Sequence, residues 1–242
     1  LGYGDNEIGS NPNEWFVRVH PEDSEQMLTE IAKHVAGELT LFHSTHRTLH
    51  KDGTYRWMLV RGLVTHDADG VPRRFVGAQT NITERRNVEE QLVQRAFYDS
   101  LTNLPNRALF LDNLWRAVEL AKRRTSNTFA VLFVDLDRFK VINDSLGHDA
   151  GDALLVGIAR RIEKCIRNTD ILARFGGDEF AILLDPITSD VDAFRVADRI
   201  QSELAEPFDL NGHIVFSTAS IGIALSSGRY NTPDEILRDA DM

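Results

Sequence analysis

Apolar positions change their spacing twice within the first hundred residues. In "HPEDSEQMLTEIAKHVAG", Met27, Ile31 and Val35 recur at i, i+4 and i+8 behind an acidic start, with Gly37 after them. That pattern predicts an amphipathic helix ending at the glycine. Three runs follow, "LTLFHSTHRTLH", "TYRWMLVRGLVT" and "PRRFVGAQTNIT", separated by the breakers Lys51-Asp52-Gly53 and "HDADGV". They predict a three-stranded antiparallel meander. In "NITERRNVEEQLVQRAF" the period lengthens again, and Ile82, Val88, Leu92 and Ala96 leave a thin apolar seam on a highly charged helix. With only about two heptads, such a helix either pairs with a copy of itself as a coiled coil or simply connects two domains.

From "YDSLTNLPNRALF" onward, helix and strand alternate. "RALFLDNLWRAVELAKRR" predicts a helix and "FAVLFVDLD" a buried strand ending in acid. "GDALLVGIARRIEKCI" predicts a helix with Leu155, Ile158, Ala159, Ile162 and Ile166 on one side. A hairpin around Gly176-Gly177, the helix "DAFRVADRIQSELAEPF", and a second hairpin turning at Asn211-Gly212 into "STASIGIAL" come next. Thr232-Pro233-Asp234-Glu235 has the form of a capping box with Pro at the first helical position, opening a final helix.

Composition narrows the function classes. A chain of 242 residues with 42% apolar content suits one large domain or two small ones. A net charge of −10 without a lysine- or arginine-rich block excludes a nucleic-acid footprint. Cys165 is the only cysteine, so no disulfide framework exists and a reducing compartment is expected. Apolar runs such as "FAVLFV" are too short to cross a bilayer, and no signal peptide opens the chain, which predicts a cytoplasmic fragment. Its start at Leu1 is expected to reflect excision from something longer, with room for a membrane tether upstream. His34, His43, His46, His50 and His66 share no metal-like spacing and are read as surface or packing residues. Trp15, Trp57 and Trp115 are read as core or half-buried, and Cys165 as packing.

The candidate chemistry gathers at "RFGGDEFAI" and "FVDLDRFKVINDSLGHDAGD". A hairpin tip carrying Asp178 and Glu179 side by side is either a solvated turn or a cation site whose glycines let a phosphate approach. Asp135 ends a strand read as buried, where a carboxylate is costly unless paired. If its strand neighbours the hairpin, Asp135 and Asp178 converge as hard oxygen ligands for Mg²⁺ or Mn²⁺. Spacing alone leaves the solvated reading open.

The blocks "DSLTNLPNR", "DLDRFKVINDSLGHDAGD", "RFGGDEF" and "SIGIA", in this order, resemble the GGDEF family of diguanylate cyclases over Tyr98 to Met242. The first half, with "WFVRVHPED", "HRTLHKDGTYRWM", "DADGVPRRFVG" and "TNITERR", resembles the C-terminal part of a PAS domain. The resemblance implies an α+β chain: a partial PAS antiparallel sheet over 1–82, a linker helix over 83–97, and a GGDEF domain over 98–242 whose last helix is cut short. That domain would have a central, mostly antiparallel sheet flanked by helices, as in palm-type nucleotidyl cyclases.

By the same resemblance, Asp135, Asp178 and the Leu136 carbonyl would hold two metal ions per active site. Asn143 and Asp152 would bind guanine, with His148, Gly176 and Gly177 on the nucleotide side. Lys140, with the backbone of Arg138 and Phe139, would meet the phosphates, and Glu179 or Asp178 would assist the attacking 3′-hydroxyl. Arg167, Asp170 and Arg199 would form the site through which the product, cyclic di-GMP, inhibits; for Arg167 and Asp170 alone a surface ion pair is the plainer reading. The implied reaction condenses two GTP molecules across a homodimer formed by the linker helix and the GGDEF faces. No flavin-reactive cysteine stands in the PAS half, so its ligand is not read. Two alternatives stay open: a GTP-binding regulator of a downstream EAL phosphodiesterase, and a PAS dimerisation module with a vestigial cyclase half. Intact metal carboxylates argue against the last.

Overall fold

The computed structural model describes the whole chain except residues 5, 6, 8–10, 12, 70, 124–127, 211 and 227–229. The chain divides into two compact units, Leu1–Leu92 and Val93–Met242.

The first unit contains helices α1 (Asn13–Phe16) and α2 (Pro21–Val35) and the strands β1 (Phe42–Leu49), β2 (Tyr55–His66) and β3 (Pro72–Asn81). The strands form the expected meander, antiparallel in the order β1-β2-β3. Helix α2 starts with His20 accepting the Glu22 N–H through Nδ1 and Pro21 at its first position, and Gly37 just beyond it takes a φ of +80°. Met27 and Ile31 pack with Val19, Phe42 and Val60, whereas Val35 is exposed. His34, His46 and Thr48 are buried. The His34 ring donates from Nδ1 to the Leu39 carbonyl (2.7 Å) and accepts the Val64 N–H at Nε2 (3.0 Å), tying the end of α2 to β2. An apolar cavity of about 440 Å³ lies beside α2, lined by Trp15, Ile31, Val60, Phe75 and Gln79 among others.

Helix α3 (Thr83–Phe97) buries none of its residues. Val88 and Leu92 of the expected seam are exposed, together with Val93 and Phe97. Ile82 stands between β3 and α3: it gives its N–H to the Trp57 carbonyl, and its own carbonyl accepts the Arg86 N–H at the start of the helix.

In the second unit α4 (Arg107–Arg123) leads to β4 (Thr128–Leu136), followed by α5 (Phe139–Leu146), α6 (His148–Lys164), β5 (Ile171–Gly176) and β6 (Glu179–Ile187). Then come α7 (Asp190–Ala205), β7 (Phe208–Leu210), β8 (His213–Val215), β9 (Ala219–Leu225) and α8 (Pro233–Ala240). The main sheet has the order β5-β6-β4-β9 with every neighbour antiparallel. Period-two alternation on β4 divides the core. Ala130, Leu132, Val134 and Leu136 join Leu154, Ile158 and Ile200 from α6 and α7, while Phe129, Val131 and Phe133 join Phe110, Leu114, Ile236 and Ala240 from α4 and α8.

Some local expectations need correction. Trp115 is exposed rather than core or half-buried, because it sits on the outer side of α4 with the Lys122 ammonium 5.8 Å from its ring centroid. Thr232 stands at the N-cap of α8 with Pro233 following, yet its side chain makes no capping bond; Glu235 reaches back to the Asn231 N–H instead. The capping box that does form is Ser189 with Asp192, which starts α7 earlier than the apolar pattern suggests. Of the second hairpin turn, Asn211 lies outside the described residues, and Gly212 has a φ of +91° between β7 and β8.

Candidate active site

Strands β4 and β6 are hydrogen-bonded neighbours, and their register sets Asp135 directly opposite Glu179. The Leu136 N–H points to the Asp178 carbonyl at 3.4 Å, so the hairpin tip closes over the end of β4. Gly176 (φ +142°) and Gly177 (φ +53°) make that tip, in a conformation that a side chain would strain. The condition for the carboxylates to converge is therefore met. One expectation changes: Asp135 is exposed although Val134 and Leu136 on either side of it are buried, because strand alternation puts its side chain on the opposite face, past Phe133, the last core residue of that face.

The carboxylates crowd one another. Partial burial first, and then the charges of Asp178, Asp137 and Asp241, push the Asp135 carboxyl above its usual range. Glu179 is raised in the same way, by burial and then by Asp135, Asp241 and Asp178, with Arg107 acting against them. Among the described residues no three His, Cys, Asp or Glu side chains form a ready-made metal cage. The expected set is smaller, two carboxylates and the Leu136 carbonyl. Closely set carboxylate and carbonyl oxygens, whose negative charges repel one another, suit a hard divalent cation, and on that donor chemistry Mg²⁺ or Mn²⁺ fits.

Beyond β4 the chain turns through Asp137 and Arg138 into α5. Asp137 is fastened to β9: its carboxylate accepts from Thr218 Oγ1 (2.6 Å) and Ser220 Oγ (2.9 Å), and its N–H donates to the Thr218 carbonyl. Arg138 takes the left-handed region (φ +58°) as the N-cap of α5, with no side-chain capping bond. The first amides of α5, at Phe139 and Lys140, are thus left without a side-chain cap, and Phe139 anchors the turn by its buried ring. On α5, Asn143 has a buried Oδ1 without a hydrogen-bond partner. It lies so close to Gly151 of α6 that a Cβ there would come within 1.8 Å of it. His148 opens α6, and Asp152 follows on it, both exposed. The candidates from Asp135 to Asp152 thus follow one stretch of chain, from the end of β4 to the first turns of α6, while Gly176, Gly177 and Asp178 come from the β5–β6 hairpin.

Arg167 and Asp170 lie elsewhere, in the turn before β5. They are not the surface ion pair that the plainer reading predicts. Asp170 Oδ2 accepts the Arg167 N–H (2.8 Å), and the Asp170 N–H returns to the Arg167 carbonyl (3.0 Å), which leaves the guanidinium outside the turn. It lines a cavity of about 290 Å³ with Lys164, Asp170, Asp192, Arg195 and Arg199. Arg199 is anchored there by a hydrogen bond to the Cys165 carbonyl.

The family model described as "Diguanylate cyclase, GGDEF domain" matches residues 96–242, and one described as "PAS fold" matches residues 1–79. The chain belongs to the GGDEF family. Diguanylate cyclase TpbB of Pseudomonas aeruginosa is 50% identical over 152 residues, covering 62% of this chain and 35% of that protein. The solved GGDEF domain of the same protein covers 60% of this chain and 84% of its own, with a TM-score of 0.57. The bifunctional diguanylate cyclase/cyclic di-GMP phosphodiesterase MucR of Pseudomonas aeruginosa is 41% identical over 166 residues, 68% of this chain and 24% of that protein. The coiled coil and GGDEF domain of DgcB from Caulobacter crescentus, solved in complex with c-di-GMP, is 28% identical with a TM-score of 0.59, covering 66% of this chain and 84% of that one. The chain spans about a third or less of the length of the two curated relatives.

Within the GGDEF unit, sequence reasoning overlooked residues that hold the hairpin rather than touch a ligand. Arg174 of β5 donates from Nη1 to both Asp99 oxygens (2.9 and 3.1 Å), and from Nε and Nη2 to the Gly177 carbonyl (3.1 and 2.8 Å). Asp99 also accepts from the N–H and hydroxyl of Thr102, and these bonds outweigh burial and keep its carboxyl below the usual range. The glycine turn is therefore braced against the segment that follows α3. Asp99 and Arg174 both lie inside the quoted blocks, but their pairing across 75 positions carries no local signal. Asp241 had none either: α8 brings it toward Asp135 and Glu179 only in three dimensions.

Proposed function

We propose that this chain is the PAS-linked cyclase part of a signalling enzyme that condenses two GTP molecules into cyclic di-GMP. The observation that carries the reading is the pairing of Asp135 with Glu179 across β4 and β6, beside Asp178 and next to the side-chain-uncapped start of α5. In the reaction, the 3′-oxygen of one GTP attacks the α-phosphorus of the other, and the bond to the bridging oxygen of pyrophosphate breaks. Asp152 accepts from N1–H and N2–H of guanine, which adenine lacks, and the orphaned Asn143 Oδ1 takes a further guanine N–H in place of the partner it is missing. Lys140 and the backbone at Arg138 and Phe139 hold the phosphates and stabilise the charge that develops on them. His148 borders the same groove. Glu179, whose basicity burial and then its acidic neighbours raise, assists removal of the proton from the attacking hydroxyl, with Asp178 as the other candidate. Asp135, Asp178 and the Leu136 carbonyl would hold two Mg²⁺ or Mn²⁺ ions, which when bound neutralise phosphate charge and acidify the hydroxyl.

Each GGDEF unit presents one GTP, so turnover needs two copies of the chain face to face. The exposed seam of α3 suits that pairing, and its rotation by the PAS half would set whether the half-sites meet. The cavity around Arg167, Asp170 and Arg199 suits cyclic di-GMP as an inhibitor, since bidentate guanidinium groups match its phosphates. The GTP supply makes the cytoplasm the expected compartment. Incubating the full-length protein with GTP and Mg²⁺ tests the reading. Cyclic di-GMP should accumulate, and Asp178→Ala should eliminate it.

One finding favours a second reading. MucR carries phosphodiesterase in its name, and this chain matches only part of it. In that reading the unit binds GTP and regulates a phosphodiesterase domain. GTP binding without any cyclic dinucleotide product would favour it.

A further inference from the structure

The block "DSLTNLPNR" ends on Arg107, a residue with no part in the chemistry described so far. Arg107 opens α4, whose N-terminal amides at Ala108 and Leu109 are capped by Asn106 Oδ1 (2.9 and 3.1 Å). Asn106 also bridges to Arg174 of β5, so the start of the helix is fastened beside the hairpin. The Arg107 guanidinium lies 5.5 Å from the centroid of the Phe175 ring. That ring is itself wedged edge-on against Phe110 (5.3 Å) and Phe133 (5.8 Å).

Strand alternation sets Asp135 on the same sheet face as Phe133, and Glu179 opposite it on the same face as Ala181. This is the face that α4 and α8 cover. Arg107 is therefore a cation on the rim of the carboxylate cluster, near enough for its charge to act on Glu179. Yet among the described residues its guanidinium makes neither an ion pair nor a hydrogen bond, and the residue is exposed. Stacking on an aromatic ring uses the face of a guanidinium and leaves its N–H edge unspent.

We propose that Arg107 is a further substrate-contacting residue, donating its N–H edge to the β- and γ-phosphates of a GTP seated at the Asp135–Glu179 pair. The proposal rests on the cyclase reading. A triphosphate brought to this cluster meets carboxylates of its own sign, and Lys140 is the single side-chain cation assigned to it above. The pyrophosphate that leaves gains charge as its bond to the α-phosphorus breaks. A planar guanidinium matches two phosphate oxygens at once, so Arg107 holds the leaving group as well as the bound substrate.

The test uses the full-length protein with Mg²⁺ and two probes, 3′-deoxy-GTP, which carries the triphosphate but lacks the attacking hydroxyl, and GMP. Arg107→Ala should weaken 3′-deoxy-GTP about tenfold or more, leave GMP within about twofold, and lower cyclic di-GMP formation at least as much. Arg107→Lys should recover part of the triphosphate affinity, and Phe175→Leu, which frees the guanidinium, should fall between. Melting curves on each variant separate contact from folding, and Arg107→Lys carries the test if the alanine variant does not fold. Unchanged 3′-deoxy-GTP affinity, or equal loss for GMP, overturns the proposal. A wild-type protein that binds 3′-deoxy-GTP through Arg107 yet forms no cyclic dinucleotide would sink the cyclase reading and leave the contact standing. A wild-type protein that binds neither probe overturns both.

Discussion

At the scale of single residues, the site is a concentration of like charge held together by strand register. Asp135 and Glu179 carry raised carboxyl pKa values, so the folded chain keeps protons there that the unfolded chain releases. Their contribution to stability therefore declines as pH rises from the ordinary carboxylate range through the raised values. In chelator, Asp135→Asn should raise the thermal midpoint at pH 7 and flatten that decline, while abolishing the stabilisation that Mg²⁺ gives; calorimetry with and without the ion checks both. Gly151 makes a second case. A Cβ there collides with the tip of the Asn143 side chain, which can swing away. Gly151→Ala should thus cost little stability but weaken GTP binding about tenfold by displacing a guanine ligand, as titration of the nucleotide would measure. The residue types were legible in the sequence because the candidate carboxylates and glycines fall in short blocks. The unmet hydrogen bond of Asn143 and the exposure of Asp135 were not, since both depend on which neighbours the fold supplies.

At the scale of elements, alternation and helical period foretold most helices and strands, and missed those defined by capping. The short helix α5 has only Phe139, Ile142 and Leu146 at helical spacing, too few to announce it in a two-turn segment, and α7 begins where Ser189 and Asp192 cap each other. The packing of α8 is decided by one position on β9. At Gly222 a Cβ would stand 1.8 Å from the Ala240 carbonyl, a backbone atom that cannot rotate aside. Gly222→Ala should therefore push α8 off the sheet and destabilise the protein by about 1–3 kcal/mol, or more, in a denaturant titration. It should also disturb the cluster that Asp241 borders at the end of that helix. Gly222 stands inside the quoted "SIGIA" block, yet the reason only glycine fits is a helix that follows it in the chain.

At the scale of the whole molecule, the exposed Val88, Leu92 and Val93 of α3 are apolar surface that nothing within the chain covers among the described residues. If copies pair along that helix, Leu92→Pro should abolish cyclic di-GMP formation while GTP binding persists; retained turnover would count against pairing. No helix among the described residues is long and apolar enough to cross a membrane. The sequence by itself determined the alternation of elements, the family, and which side chains are candidates for the chemistry, because periodicity and short motifs are local properties of a chain. Only the tertiary structure decided that β4 lies beside β6, that Arg174 braces the glycine turn against Asp99, and that Arg107 stands over Phe175 at the edge of the acids. Those contacts join residues far apart along the backbone, and burial and register, rather than any local preference, select them.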